Sequence, residues 1–220
     1  MKRSHLVACA ALIALCEVAT LFAYPRLPEM VATHWNAHGV VDGYSSRWTL
    51  FVLMPAMMLG TIALFAALPW LSPRRFEVGS FAPTSSYLML LIVGMLAYLH
   101  LLMLWKAIGG ALDMSTAVLG AVSLFIAAIG NVLGKVRRNF FIGIRTPWTL
   151  ASERVWYGTH RLAAKAFVAA GLAGAVIALS RLPVWSWIAV IVVGSVVPLV
   201  YSLVLYKRLE KAGELGGEAA

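Results

Sequence analysis

Six apolar runs, each close to the length that carries a helix across a membrane, constrain this chain more than any other feature of its sequence. They cover Leu6–Tyr24, Leu50–Leu71, Tyr87–Trp105, Ser115–Leu133, Leu162–Leu179 and Val184–Tyr206. About 20 apolar residues, rising about 1.5 Å each, cross the roughly 30 Å of bilayer hydrocarbon. A water-soluble fold of this length could bury one such run, but six would expose one another in turn. The 61% apolar content and mean hydropathy of +0.85 agree with that reading. The fold class expected is all-α: a polytopic membrane protein with six transmembrane helices.

Charge then gives the orientation. With the N-terminus inside, only Arg26, Arg47, Lys106 and Arg181 among the 18 Lys and Arg fall on the outer side. Basic residues favour cytoplasmic gaps, so an even number of spans puts both termini in the cytoplasm. The longest polar interruption, Asn131–Lys165, is also the most basic. The net charge of +9 is thus assigned to orientation and to contact with anionic lipid. No zinc-finger spacing or recognition helix accompanies it, so direct nucleic-acid binding is not expected. Trp48, Trp70, Trp105 and Trp185 fall near span ends, where an amphipathic ring suits the headgroup layer.

The opening Met1-Lys2-Arg3 and apolar run mimic a signal peptide. Leu6–Tyr24 is longer than an ordinary signal core and ends in Tyr-Pro-Arg-Leu-Pro without a small-residue cleavage site, so an uncleaved first span is expected. The chain is read in two parts. Residues 1–110 hold spans one to three and the outer loop 25–49; residues 111–220 hold spans four to six and the basic cytoplasmic loop 134–162. Gly130, Gly134, Gly171 and Gly174 would let spans four and five approach closely.

The polar residues inside or between spans are the candidate sites. Glu17 lies about 16 Å into the first span, where an acid costs about 3 kcal/mol. It is either a proton or cation site or a protonated acid hydrogen-bonded to a neighbouring helix. Asn131 is the next intramembrane polar residue and reads as a structural hydrogen-bonder. In the outer loop, His34, His38 and Asp42 recur every four residues and would share a helix face able to take a metal. Gly39 and Gly43 argue against that helix, so the expectation is a short helix ending at His38-Gly39, a turn at Asp42-Gly43, and no metal. In the basic loop, Thr146-Pro147 fits a helix N-cap and first position. Thr149, Glu153, Trp156 and His160 then repeat at helical spacing, as in a short interfacial helix. Arg145 is a candidate partner for Glu153, or for Glu17 if the loop re-enters the membrane. No HExxH, phosphate loop, GxSxG or paired-carboxylate pattern occurs, so neither catalysis nor a cofactor is expected.

The stretch Asn139-Phe-Phe-Ile-Gly143-Ile-Arg145-Thr146-Pro147-Trp148, with Glu153, Trp156 and His160 after it, closely resembles the signature of the SdpI family of bacterial membrane proteins. Leu27-Pro28, His34, Asn36, Gly39, Asp42 and Arg47 resemble the domain of unknown function (DUF1648 type) often fused before it. The resemblance implies a multi-pass immunity protein of the bacterial inner membrane. Such a protein defends against a secreted, membrane-active antimicrobial peptide and can signal to a small cytoplasmic transcriptional repressor. It implies a functional core of Asn139, Gly143, Arg145, Thr146, Pro147 and Trp148, backed by Glu153, Trp156 and His160, with the outer loop as first contact for the peptide. A different reading, a small proton- or cation-coupled transporter, rests on Glu17 and on Pro198 inside the sixth span.

Overall fold

The computed structural model describes residues 1–36, 39–72, 81–180 and 182–215. His38 and Arg181, and with them Arg74 and Arg75 among the basic residues counted on the inner side, lie outside the described residues. Among the described residues six long helices form: α1 (Arg3–Ala23), α2 (Thr49–Leu71), α3 (Ala82–Ala107), α4 (Met114–Leu133), α6 (Glu153–Leu179) and α7 (Val184–Lys211), with the short α5 (Pro147–Ala151) before α6. Each of the six is long and apolar enough to cross a membrane. The protein is a polytopic, all-α membrane protein, whose sequence order makes successive spans run in opposite directions.

Local chemistry sets the ends. Asp113 caps α4, accepting from the Ser115 and Thr116 amides and, at 2.6 Å, from the Thr116 hydroxyl. That hydroxyl, with the two amides, holds the Asp113 carboxyl below the usual carboxylate range. Ser152 caps α6 through the Val155 amide. The Lys2 amide donates to Ser86 Oγ at 3.0 Å, tying the start of α1 to the start of α3.

α1 and α2 pack on α3; α4 packs on α6 and α6 on α7; α3 meets α4. Small residues make the α4–α6 contact close. A Cβ on Gly130 would lie 2.8 Å from the Val168 amide nitrogen, and one on Gly171 2.5 Å from the Ser123 carbonyl. Backbone cannot retreat as a side-chain tip can, so these positions admit only glycine. Gly120, on the same helix as Gly130, faces open space. Val192, Val196 and Leu203 of α7 are exposed, which suits a helix bordered by lipid.

Two expectations need correction. Where a short helix ending at His38-Gly39 was expected, the outer loop holds a hairpin: Met30–Trp35 (β1) and Val41–Ser46 (β2) pair antiparallel, with Val31 opposite Ser45 and His34 opposite Gly43. The chain turns at Gly39, whose φ of +73° is left-handed. Asn36 closes the turn, its Oδ1 and carbonyl accepting from the Val40 and Gly39 amides. Nor is there a separate interfacial helix beyond α5. The fifth span starts at Glu153 rather than Leu162, so Trp156 and His160 belong to the spanning helix itself.

The α4–α6 geometry predicts that Gly171→Ala lowers the thermal unfolding midpoint in detergent, since overpacking costs about 1–3 kcal/mol. Gly120→Ala should leave it unchanged or raise it, because the added methyl meets nothing and favours helix. Differential scanning fluorimetry of both variants checks this.

Candidate functional site

The helix bundle has two polar ends. At one, the basic segment between α4 and α6 folds back as a docked loop. At the other, the hairpin covers the span ends.

The docked loop is built around Asn139, which is fully buried. Its Nδ2 donates to the Arg137 and Ile142 carbonyls at 2.8 and 2.9 Å, and its Oδ1 accepts from the Phe141 and Ile142 amides at 2.8 and 2.7 Å. Both donors and both acceptor sites of the amide are used, so one side chain replaces the backbone partners an irregular loop lacks. Phe141, Ile142 and Ile144 pack against the main core, while Phe140 faces outward.

His160 holds the loop from the α6 side. Its Nδ1 donates to the Trp156 carbonyl at 2.8 Å, and its Nε2 accepts from the Ile144 amide at 3.1 Å. One nitrogen donating and the other accepting define the neutral imidazole with its proton on Nδ1. Gly143, at φ +115°, runs directly against His160, and a Cβ there would collide with Nε2. The imidazole stacks on Trp156 at 4.1 Å between centroids, and Trp156 Nε1 donates to the Val136 carbonyl at 2.8 Å. Gly143, Trp156 and His160 therefore form one contact spanning the loop and the helix.

The next turn is capped by Thr146 and Thr149. Thr146 Oγ1 accepts from the Thr149 amide, and Thr149 Oγ1 accepts from the Thr146 amide while donating to backbone carbonyls. Pro147 occupies the first helical position without losing a hydrogen bond. Trp148 Nε1 donates to Ser202 Oγ on α7, which links the loop to the last span. Glu153 lies 3.5 Å from Arg138 Nη2, and Arg138 Nη1 donates to the Leu150 carbonyl. The expected pairing of Arg145 with Glu153 or Glu17 gives way to another contact: Arg145 donates to the Phe140 carbonyl and is otherwise exposed. Ser152 and Ser202, which the sequence reading did not single out, are as much part of this construction as the motif residues.

Within the span region, Glu17 on α1 is half-buried and receives no hydrogen bond among the described residues. Asn131 is exposed on α4 rather than bonded to a neighbouring helix. The buried polar contact lies elsewhere. His100 Nε2 is 2.8 Å from Thr20 Oγ1, whose hydroxyl donates to the Cys16 carbonyl. A histidine inside the apolar run Tyr87–Trp105 was its sequence signal.

At the hairpin end, His34 Nδ1 sits 2.5 Å from Asp42 Oδ1 on the exposed face. Gly43 opposite His34 makes room for that side chain, since a Cβ there would fall 2.9 Å from His34 Cβ. Among the described residues no group of three His, Cys, Asp or Glu could hold a metal. Arg47 anchors the hairpin: its guanidinium covers the Tyr24 ring at 4.5 Å and Nη1 donates to the Leu27 carbonyl. Leu27 and Val31 pack on Leu50, Met103 and Leu104 below.

A six-helix membrane protein with a motif-built loop at one end is the class this geometry defines. Residues 135–204 match the model of the SdpI/YfhL protein family, and residues 11–59 match the domain of unknown function DUF1648. The chain is 28% identical over 166 residues to the "Immunity protein SdpI" of Bacillus subtilis (strain 168), a match covering 76% of this chain and 77% of the relative. No solved structure matches it.

The loop geometry predicts the effect of His160→Phe. The variant keeps ring volume and stacking but leaves the Ile144 amide without its acceptor, at a cost of about 1–3 kcal/mol. Hydrogen exchange should accelerate about tenfold or more at residues 140–145, with the middle of α6 unchanged.

Proposed function

We propose that this chain is a multi-pass immunity protein of the bacterial plasma membrane that protects by binding a membrane-active antimicrobial peptide. In this reading both termini and the basic loop are cytoplasmic, and the hairpin faces outward. Residues 1–110 supply the peptide-facing end and residues 111–220 the loop that senses the bound state. The carrying observation is the likeness to an immunity protein over three quarters of both chains.

The loop gives the motif residues distinct roles in this proposal. Asn139, Gly143, Thr146, Trp148, Trp156 and His160 hold the loop in one shape; Arg145, Pro147 and Phe140 are what that shape displays. A small cytoplasmic repressor, the partner implied by the resemblance, would meet Arg145 and the nearby exposed Arg137 and Lys135.

Arg145→Ala is the direct test. Expressed in a peptide-sensitive host at wild-type level, the variant should lose protection against a panel of membrane-active peptides from which the wild type protects. Arg145→Lys, which keeps charge but not the planar fork, should retain only part of it. Full protection by Arg145→Ala at equal protein level would remove the loop from the proposed mechanism.

A further inference from the structure

The outward face of α6 changes character along its length. Leu172, Val176 and Leu179 are exposed at spacings of four and three residues, so one stripe of the helix faces the bilayer. Followed toward the docked loop, the same stripe passes Ala169 and then carries Lys165 and Arg161, both exposed. At about 1.5 Å per residue, Lys165 is rooted roughly 21 Å and Arg161 roughly 27 Å from Leu179, the last residue of the helix. With Leu179 at one edge of a hydrocarbon layer about 30 Å thick, both lie just inside the other edge. A cation rooted there extends its apolar stem and places its charged head among the lipid phosphates. One helical turn separates the two, so both heads can reach a single anion.

Beside this stripe α6 and α7 part to leave an apolar groove of about 470 Å³, with Ala169, Ala173, Val193 and Val197 in its walls. These four are exposed, so the groove opens to the lipid around the bundle. The helices close behind it at Gly194, where a Cβ would lie 2.5 Å from Ala170 Cβ. Its end nearest the docked loop adjoins Lys165. There α7 adds Tyr201, whose hydroxyl oxygen is 4.0 Å from the place a Cβ on Gly158 would take. Gly158 precedes Arg161 by three residues and shares its face of the helix.

Charge specifies the occupant. The acids described near this end are engaged with other cations: Glu153 with Arg138, Glu214 with Arg154 and Glu210 with Lys207. Arg161 and Lys165 have no ion pair among the described residues, which leaves two positive charges on a surface that faces lipid. We infer that this end of the α6–α7 groove is a binding site for an anionic phospholipid, its phosphate held by Arg161, Lys165 and the Tyr201 hydroxyl and its acyl chain entering the groove. A phosphate carrying a neutral alcohol, as in phosphatidylglycerol, complements the two cations, whereas a choline headgroup brings a third cation to the same place. Free phosphate would meet the cations and leave the groove unfilled. The site is independent of the peptide reading. It adjoins the docked loop, because Ser202, next to Tyr201, accepts from Trp148 Nε1. A lipid bound here braces α6 against α7 where the loop is held.

Native mass spectrometry of the full chain released from detergent micelles tests this. The probes are phosphatidylglycerol, phosphatidylcholine with the same acyl chains, and inorganic phosphate. The first phosphatidylglycerol should bind at least about tenfold more tightly than phosphatidylcholine, and phosphate should not displace it. The double variant Arg161→Gln/Lys165→Gln should bring the two lipids within about twofold of each other. Lys135→Gln/Arg137→Gln, which removes the same charge from the exposed docked loop, should keep the preference. Ala173→Phe fills the groove and leaves the charges in place, and should weaken phosphatidylglycerol at least about fivefold. Every substituted side chain is exposed, and the variants are compared once their thermal unfolding midpoints match the wild type. Equal affinity of the wild type for the two lipids, loss of preference in both charge variants alike, or unaltered binding by Ala173→Phe would overturn the site. Displacement by inorganic phosphate would also overturn it, by making the site one for phosphate rather than lipid.

Discussion

A peptide group in hydrocarbon has no water to turn to, so every amide and carbonyl must be satisfied within the protein. This constraint sorts the chain into helices wherever it is apolar, and the two longest described connections between spans, the hairpin region and the loop before α6, must satisfy their backbone by other means. At one, hairpin pairing satisfies the strands and Asn36 the turn. At the other, the buried amide of Asn139 and the imidazole of His160 act as surrogate backbone. The loop near the bundle's basic end is therefore a rigid element, held by hydrogen bonds that cannot be exchanged cheaply once water is excluded.

That rigidity gives the motif a physical meaning. Glycine at 143 is needed for a left-handed φ and for contact with an imidazole; threonine at 146 is needed to cap α5. Tryptophan at 148 reaches a hydroxyl on α7, so the loop touches the last span as well as the one it precedes. A shape fixed at this many points presents Arg145 in one place. The hairpin is fixed in the same manner by Arg47, which covers Tyr24 and reaches the Leu27 carbonyl.

The spans were legible because crossing a bilayer imposes length and polarity on every residue of a segment. The start of α6 was not, because Glu153, Arg154 and Arg161 make the region look like a loop. Its inward face (Trp156, Thr159, His160, Ala163) carried the helical period throughout. The hairpin was hidden by the four-residue spacing of His34, His38 and Asp42, which suggested a helix. Val31, Thr33, Val40 and Val41, flanking a glycine that must turn, were the better signal. His34 and Asp42 do meet, across the strands rather than along a helix. Nothing in the sequence could show that Asn139 uses all its hydrogen bonds, because its partners are backbone groups of a loop whose path it determines itself. Glu17 stood out as a charge in an apolar run, yet the buried polar contact formed at Thr20 and His100.

The account depends on the hairpin and the arginine-bearing loop lying on opposite sides of the membrane, with the hairpin outside. Single cysteines placed at exposed Val40 and Arg145 report this, since native Cys9 and Cys16 are buried. With a membrane-impermeant maleimide on intact cells, Val40→Cys should label at once and Arg145→Cys only after permeabilisation. Labelling of Arg145→Cys in intact cells, with Val40→Cys protected, would contradict it.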